Sequence, residues 1–144
     1  MRAGVMRNST WIAYVPAAAR WPLEVHVQPV RDGIFTLDQL NDNERWGLAQ
    51  MYSALLKRGN MFFDTGSGEG MDLPYIAAWH QAPVRDRRRS SYRLNLQFFS
   101  FRRAANKIKY LAGSESGMAA WISDTTPEKI AARFHELGDT DIDK

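Results

Sequence analysis

The sequence contains no cysteine, which excludes disulfides, thiolate metal sites and a cysteine nucleophile. Histidine is almost as scarce: His26, His80 and His135 are the only three imidazoles, and no two of them are spaced as a paired-histidine motif. No apolar run approaches the roughly 20 residues that a membrane-spanning helix needs. Met1 to Arg7 has neither the apolar core nor the cleavage site of a secretory leader, so a cytoplasmic location with no membrane partner is expected. Charge imbalance is small as well. The net charge is +3, and much of the excess lies in Arg85, Arg87, Arg88 and Arg89 beside Ser90 and Ser91. That is one loop rather than a basic face. It suits a solvated surface, or attraction of phosphate groups on a nucleotide or nucleic acid.

What is present is an ordinary globular composition, 44% hydrophobic and 24% charged. A chain of 144 residues forms one domain that buries roughly 68–70% of its unfolded surface. Residues 1–138 are expected to make up that domain, with 139–144 as a frayed tail. Trp11 to Val15 reads as a short strand. Leu23 to Gln28 alternates, with Leu23, Val25 and Val27 on one face and Glu24, His26 and Gln28 on the other, and Pro16 to Pro22 joins the two strands. Asn41 and Glu44 form a capping box for a helix over about residues 42–58, carried by Leu48, Met51, Tyr52, Leu55 and Leu56 and stopped by Gly59. Residues 64–70 hold three glycines and read as a loop.

Further strands are expected over Met71 to Trp79 and Tyr92 to Phe101. In the second, Leu94, Leu96 and Phe98 face one side while Arg93, Asn95, Gln97 and Phe99 face the other. Thr125-Thr126-Pro127-Glu128 supplies a cap, an early proline and a first-turn acid for a last helix, with Ile130, Ala131, Phe134 and Leu137 as its apolar stripe and Gly138 as its stop. Neighbouring strands with two main helices indicate an α+β class built on an antiparallel sheet.

The histidines differ in setting. His135 lies near a helix C-terminus, where a cation is favoured. His26 shares a strand face with Glu24 and Gln28, which suits either a solvated sheet face or a covered polar pair. His80 follows Trp79 at the end of a strand, just before Gln81-Ala82-Pro83, and is either a structural hydrogen-bonding group or a functional one. Downstream, Lys109-Tyr110-Leu111-Ala112-Gly113-Ser114-Glu115 sets a cation for phosphate, a glycine for close backbone approach and a carboxylate for sugar hydroxyls close together.

Three blocks carry a resemblance: Ala-Arg-Trp-Pro-Leu-Glu from Ala19 to Glu24, Pro-Tyr-Ile-Ala-Ala-Trp-His-Gln-Ala-Pro from Pro74 to Pro83, and the stretch from Lys109 to Gly117. Together the chain resembles the C-terminal half of galactose-1-phosphate uridylyltransferases, over nearly its whole length. The resemblance implies a histidine-triad-like half domain acting in galactose metabolism on UDP-glucose and galactose 1-phosphate. It implies hexose-phosphate contacts from Lys109, Tyr110, Ala112, Ser114 and Glu115. The family's glutamine six residues beyond the acid is Trp121 here, either core or a platform for an apolar sugar face. Trp21, Pro22 and Glu24 match a structural turn.

The resemblance also implies a zinc or iron ion, with His80 as one ligand and a His-x-His pair on the next strand as two more. Asn95 and Gln97 stand at that pair. Amide oxygens are poor ligands for these metals, so binding is expected to be weak or lost. The family's nucleophile lies in a His-Pro-His motif of the N-terminal half, and no such motif occurs in this sequence. Alone, the chain is expected to form no uridylyl-enzyme. A complementary N-terminal half, and a homodimer of the assembled enzyme, are the implied partners. The alternatives are a noncatalytic nucleotide- or sugar-phosphate-binding module and the remnant of a disrupted gene. With an acidic tail and a single arginine cluster, no nucleic-acid partner is expected.

Overall fold

Alternation along β3 (Leu23–Pro29) buries Leu23, Val25 and Val27 on one side of a sheet and turns Glu24, His26 and Gln28 to the other. The computed structural model describes residues 3–64, 66–85 and 88–143, without the side chain of Arg89. Arg87 and the Arg89 side chain of the arginine loop therefore lie outside the described residues, as do Thr65 and Lys144.

Around β3 stand β1 (Ala3–Arg7), β2 (Trp11–Val15), β4 (Ile76–His80) and β5 (Asn95–Ser100), in the order β1-β2-β3-β5-β4. Every neighbouring pair is antiparallel. The expected α+β architecture is what the chain adopts, and one strand of this five-stranded sheet, β1, was not legible in the sequence pattern. A register shift between Gly4 and Met6 lets Val5 and Met6 both bury.

Between β3 and β4 runs α1 (Asp42–Phe62). Its capping box is reciprocal: Asn41 accepts from the Glu44 amide and Glu44 from the Asn41 amide, each at 2.9 Å. The helix passes through Gly59 instead of stopping there. Gly59 is buried, and a Cβ on it would come within 2.9 Å of Leu73, so the glycine provides close approach rather than a cap. On the same apolar face lies α3 (Pro127–Glu136), started by Thr126 and burying Ile130, Ala131 and Phe134. Trp11, Met51, Leu55, Leu94, Leu96, Phe98 and Phe134 form one core between the sheet and these two helices.

Both later strands start further along than the sequence suggests. The amides of Met71 and Leu73 bond to Asn60 at the end of α1, so they are not available to the sheet, and β4 begins only after Pro74. Likewise the Leu94 amide goes to the Ile34 carbonyl before β5 begins.

Beyond β5 the chain makes a small hairpin, β6 (Arg102–Ala104) with β7 (Lys107–Ile108), and then a short helix, α2 (Gly113–Met118). Within the stretch expected to be a frayed tail, residues 140–142 are held by backbone hydrogen bonds. Arg7 donates to Thr140 at 2.7 Å and accepts from Ile142 at 2.9 Å, so residues 140–142 cover the outer edge of β1.

Candidate functional site

The solvent-side face of the sheet carries a polar row created by strand register. His26 on β3 sits opposite Gln97 on β5, and Asn95 on β5 opposite His80 on β4. Cross-strand partners share a face, so four polar side chains from three strands meet although they are far apart in sequence. Glu24 lies among them, 2% exposed.

Its carboxylate is heavily bonded. Oε1 takes the His26 Nε2 proton at 3.0 Å and the Gln97 amide at 3.0 Å, while Oε2 takes the Arg20 backbone N–H at 2.7 Å. Burial pushes the Glu24 pKa up, but the bonds from His26, the Arg20 amide and Gln97 outweigh it and hold it below the ordinary 4.5. Gln97 then passes the chain outward: its Oε1 lies 3.2 Å from His80 Nε2. A carboxamide oxygen only accepts, so Nε2 of His80 carries the proton. These groups floor an open hollow of about 430 Å³ with Pro16, Ala18 and Arg20 on its walls. Tyr14 meets the His26 ring edge-on at 5.8 Å.

A second hollow, about 130 Å³, lies beyond the sheet and is lined by Arg103, Lys109, Tyr110, Ala112, Glu115, Ile122 and Asp124. Four of the five residues singled out from the sequence are therefore brought together. The fifth, Ser114, is half-buried in α2, with its carbonyl taken by the Ala120 amide.

Glu115 is buried. Its Oε1 pairs with Lys109 Nζ at 2.7 Å and accepts from the Ile122 amide, and its Oε2 accepts from the Ala112 amide. The Lys109 ammonium, with the Ala112 and Ile122 amides, lowers its pKa to about 2. Lys109 Nζ also donates to the carbonyls of Ile122 (2.7 Å) and Arg20 (3.0 Å). Trp21 and Trp121 flank this ammonium at 5.7 and 5.6 Å. Trp121 packs against Trp21, with the Arg20 guanidinium over the Trp121 ring at 5.4 Å from its centroid, so it belongs to an aromatic wall behind Lys109.

One residue joins the two hollows. The Arg20 N–H is held by Glu24 and the Arg20 carbonyl by Lys109.

The profile of the galactose-1-phosphate uridyl transferase C-terminal domain matches residues 2–144. The chain belongs to that family. The galactose-1-phosphate uridylyltransferase of Streptomyces lividans is 34% identical over 148 aligned positions, covering 94% of this chain and 38% of that protein. The enzyme of Thermotoga maritima is 28% identical over 133 residues, covering 92% and 40%. A solved uridylyltransferase structure superposes with a TM-score of 0.81 at 34% identity, over 93% of this chain and 40% of that one. A zinc-bound histidine triad family protein from Mycobacterium smegmatis, at 11% identity and a TM-score of 0.54, shares the fold. The chain thus spans about two fifths of the length of the curated relatives it matches.

The metal that the uridylyltransferase resemblance implies does not fit the donors in this chain. His80 Nε2 is engaged with Gln97, and both Glu24 oxygens are taken. Asn95 Oδ1 is buried with no hydrogen-bond partner, a neutral amide oxygen in place of an imidazole. Among the described residues, no three His, Cys, Asp or Glu side chains are grouped to hold an ion.

Sequence reading treated Glu24 as part of a structural turn and did not connect it with Gln97. The polar alternation of β3 was visible, but the β3–β5 pairing joins strands separated by α1 and β4, and periodicity says nothing about that neighbour. The cation Arg103 and its partner Asp124, 2.5 Å apart, were also missed. Each is an exposed charge with no local pattern around it.

Proposed function

We propose that this chain is the hexose-phosphate-binding half of a UDP-glucose:hexose-1-phosphate uridylyltransferase, working in the cytoplasm with a complementary N-terminal half that brings the His-Pro-His nucleophile. The observation that carries this reading is the hollow formed by Lys109, Tyr110, Ala112 and Glu115 in a domain of this family. A carboxylate accepts about four hydrogen bonds, and three protein donors reach Glu115. One acceptor site is left for a sugar hydroxyl. Tyr110 is 85% exposed at the rim, where its ring face suits the apolar face of a hexose. Lys109 acts through Glu115, fixing and ionising it, and Ser114 supports the turn of α2 beneath it.

In the transfer this half binds and orients the acceptor sugar phosphate. The bond-making imidazole comes from the other half, because the described histidines are committed elsewhere: His26 to Glu24, His80 to Gln97 and His135 to the Gly4 carbonyl at 2.9 Å. Two surface features support a partner polypeptide. The β4 edge carries no charge or proline between Ile76 and Trp79 to block strand addition. The excursion after β6 exposes Ile108, Leu111, Met118 and Ile122. Homodimerisation of the assembled enzyme belongs to the same reading, as does a site that works without zinc or iron.

Uridylyl exchange between UDP-glucose and galactose 1-phosphate tests this. Exchange is expected only when the chain is mixed with a polypeptide carrying the His-Pro-His half. Exchange by the chain alone would refute the division of roles. A second reading, a noncatalytic sugar-phosphate-binding module or a remnant, is favoured by the amides at Asn95 and Gln97. It predicts galactose 1-phosphate binding, or none, with no exchange in either sample.

A further inference from the structure

Lys109 has no proton left to give. An ammonium has three donors, and Glu115, the Ile122 carbonyl and the Arg20 carbonyl take one each at 2.7, 2.7 and 3.0 Å. Its side chain is 9% exposed, enclosed by Trp21 and Trp121. A phosphate in the neighbouring hollow would find this cation already saturated.

Arg103 is the other cation lining the same hollow, and its situation is the reverse. It projects from β6, half exposed, with Nε on Asp124 Oδ2 and, among the described residues, no other side-chain hydrogen bond. A guanidinium has five N–H donors in a planar fork that matches phosphate oxygens. Both members of the Arg103–Asp124 pair are about half exposed. Exposed pairs of this kind contribute little, so a phosphate dianion can displace the carboxylate at small cost. A volume of about 130 Å³ is small for a whole ligand and accommodates a phosphate-sized group, leaving the sugar toward Tyr110 at the rim.

From this geometry we infer that Arg103 is the phosphate-binding cation of the hollow, with Asp124 as its exchangeable counter-ion and Lys109 as the residue that positions Glu115. The ligand class is a sugar phosphomonoester. The assignment rests on the hexose-phosphate reading above and adds to it a residue that neither motif nor resemblance pointed to.

NMR-detected titration of the full chain with galactose 1-phosphate and, separately, with galactose tests it. Arg103→Gln is expected to weaken galactose 1-phosphate about tenfold to a hundredfold, the loss of a charge-assisted hydrogen bond, and to leave galactose unchanged. Arg103→Lys should recover part of the loss by keeping a point charge. Asp124→Asn should tighten galactose 1-phosphate, a change of sign that a poorly folded variant does not produce. Unchanged binding of galactose 1-phosphate by Arg103→Gln, or equal losses for both sugars, overturns the assignment and leaves the hexose-phosphate site standing. If the unsubstituted chain binds neither sugar, alone or with the complementary half, both readings fall.

Discussion

Replacing Glu24 by alanine removes the acceptor on which three donors converge: the Arg20 amide, the Gln97 side chain and His26 Nε2. The costs differ. Arg20 is an exposed residue whose amide can recruit water, and His26 is 21% exposed and can turn outward. Gln97 is held between Glu24 and His80 and is the donor most fully stranded. At about 1–3 kcal/mol for each buried group left unsatisfied, the loss comes to about 2–4 kcal/mol, a large part of the roughly 5–15 kcal/mol that holds a domain folded. Glu24→Gln keeps the shape but sets an amide donor against existing donors, and should lose about 1–2 kcal/mol.

Urea denaturation at pH 7 measures both, and the pH dependence supplies a control. The folded-state pKa of Glu24 lies below 4.5. Its contribution is therefore complete above the unfolded value and fades as pH falls through the folded one. The gap between the unsubstituted chain and Glu24→Ala should narrow below pH 4.5. A loss under about 0.5 kcal/mol at pH 7, the level of an ordinary surface change, would refute the view that Glu24 is the anchor of the polar face.

Glu115, with its pKa near 2, should add a second acid-labile contribution: melting temperature falls from about pH 4.5 toward 2, and Glu115→Gln flattens that fall. Gly47→Ala should destabilise despite alanine's better helix propensity, because a Cβ there would lie 2.0 Å from Thr10 Oγ1. Overpacking of about 1–3 kcal/mol against a propensity gain of about 1 leaves a net loss of up to about 2 kcal/mol by thermal melt, and a gain in stability would contradict the packing. Installing the imidazoles that the resemblance implies, in an Asn95→His, Gln97→His double variant, should confer zinc binding, seen by competition with a colorimetric chelator. The unsubstituted chain is the reference, and equal zinc uptake by both would show that the amides are not what disfavours the ion.

The two hollows meet at the Arg20 backbone, whose N–H donates to Glu24 and whose carbonyl accepts from Lys109. The polar face and the residue that orients Glu115 are therefore linked through two hydrogen bonds and the backbone of one residue.

Much of the scaffold could be read from local chemistry. The capping box at Asn41 and Glu44, the Thr126-Pro127 start and the period-two alternation of Leu23–Pro29 and Asn95–Ser100 are short-range facts, and the structure keeps each of them. Glycine was the weak signal. Gly59 looks like a helix stop in sequence, yet it lies inside α1 because Leu73, from a loop beyond the helix, needs the space. The fate of the tail was equally non-local, since residues 140–142 are held by Arg7 at the other end of the chain.

Family membership and the residue types at the candidate site were already written in the order of amino acids: Trp-His at 79 and 80, amides at 95 and 97, and Lys-Tyr through Glu at 109 to 115. Which of those groups are available for chemistry was decided by tertiary structure. Register set Gln97 between Glu24 and His80, and folding turned all three Lys109 donors inward while leaving the guanidinium of Arg103 at the surface. A hydrogen-bond donor can be spent only once, and the partner that takes it comes from a distant part of the chain.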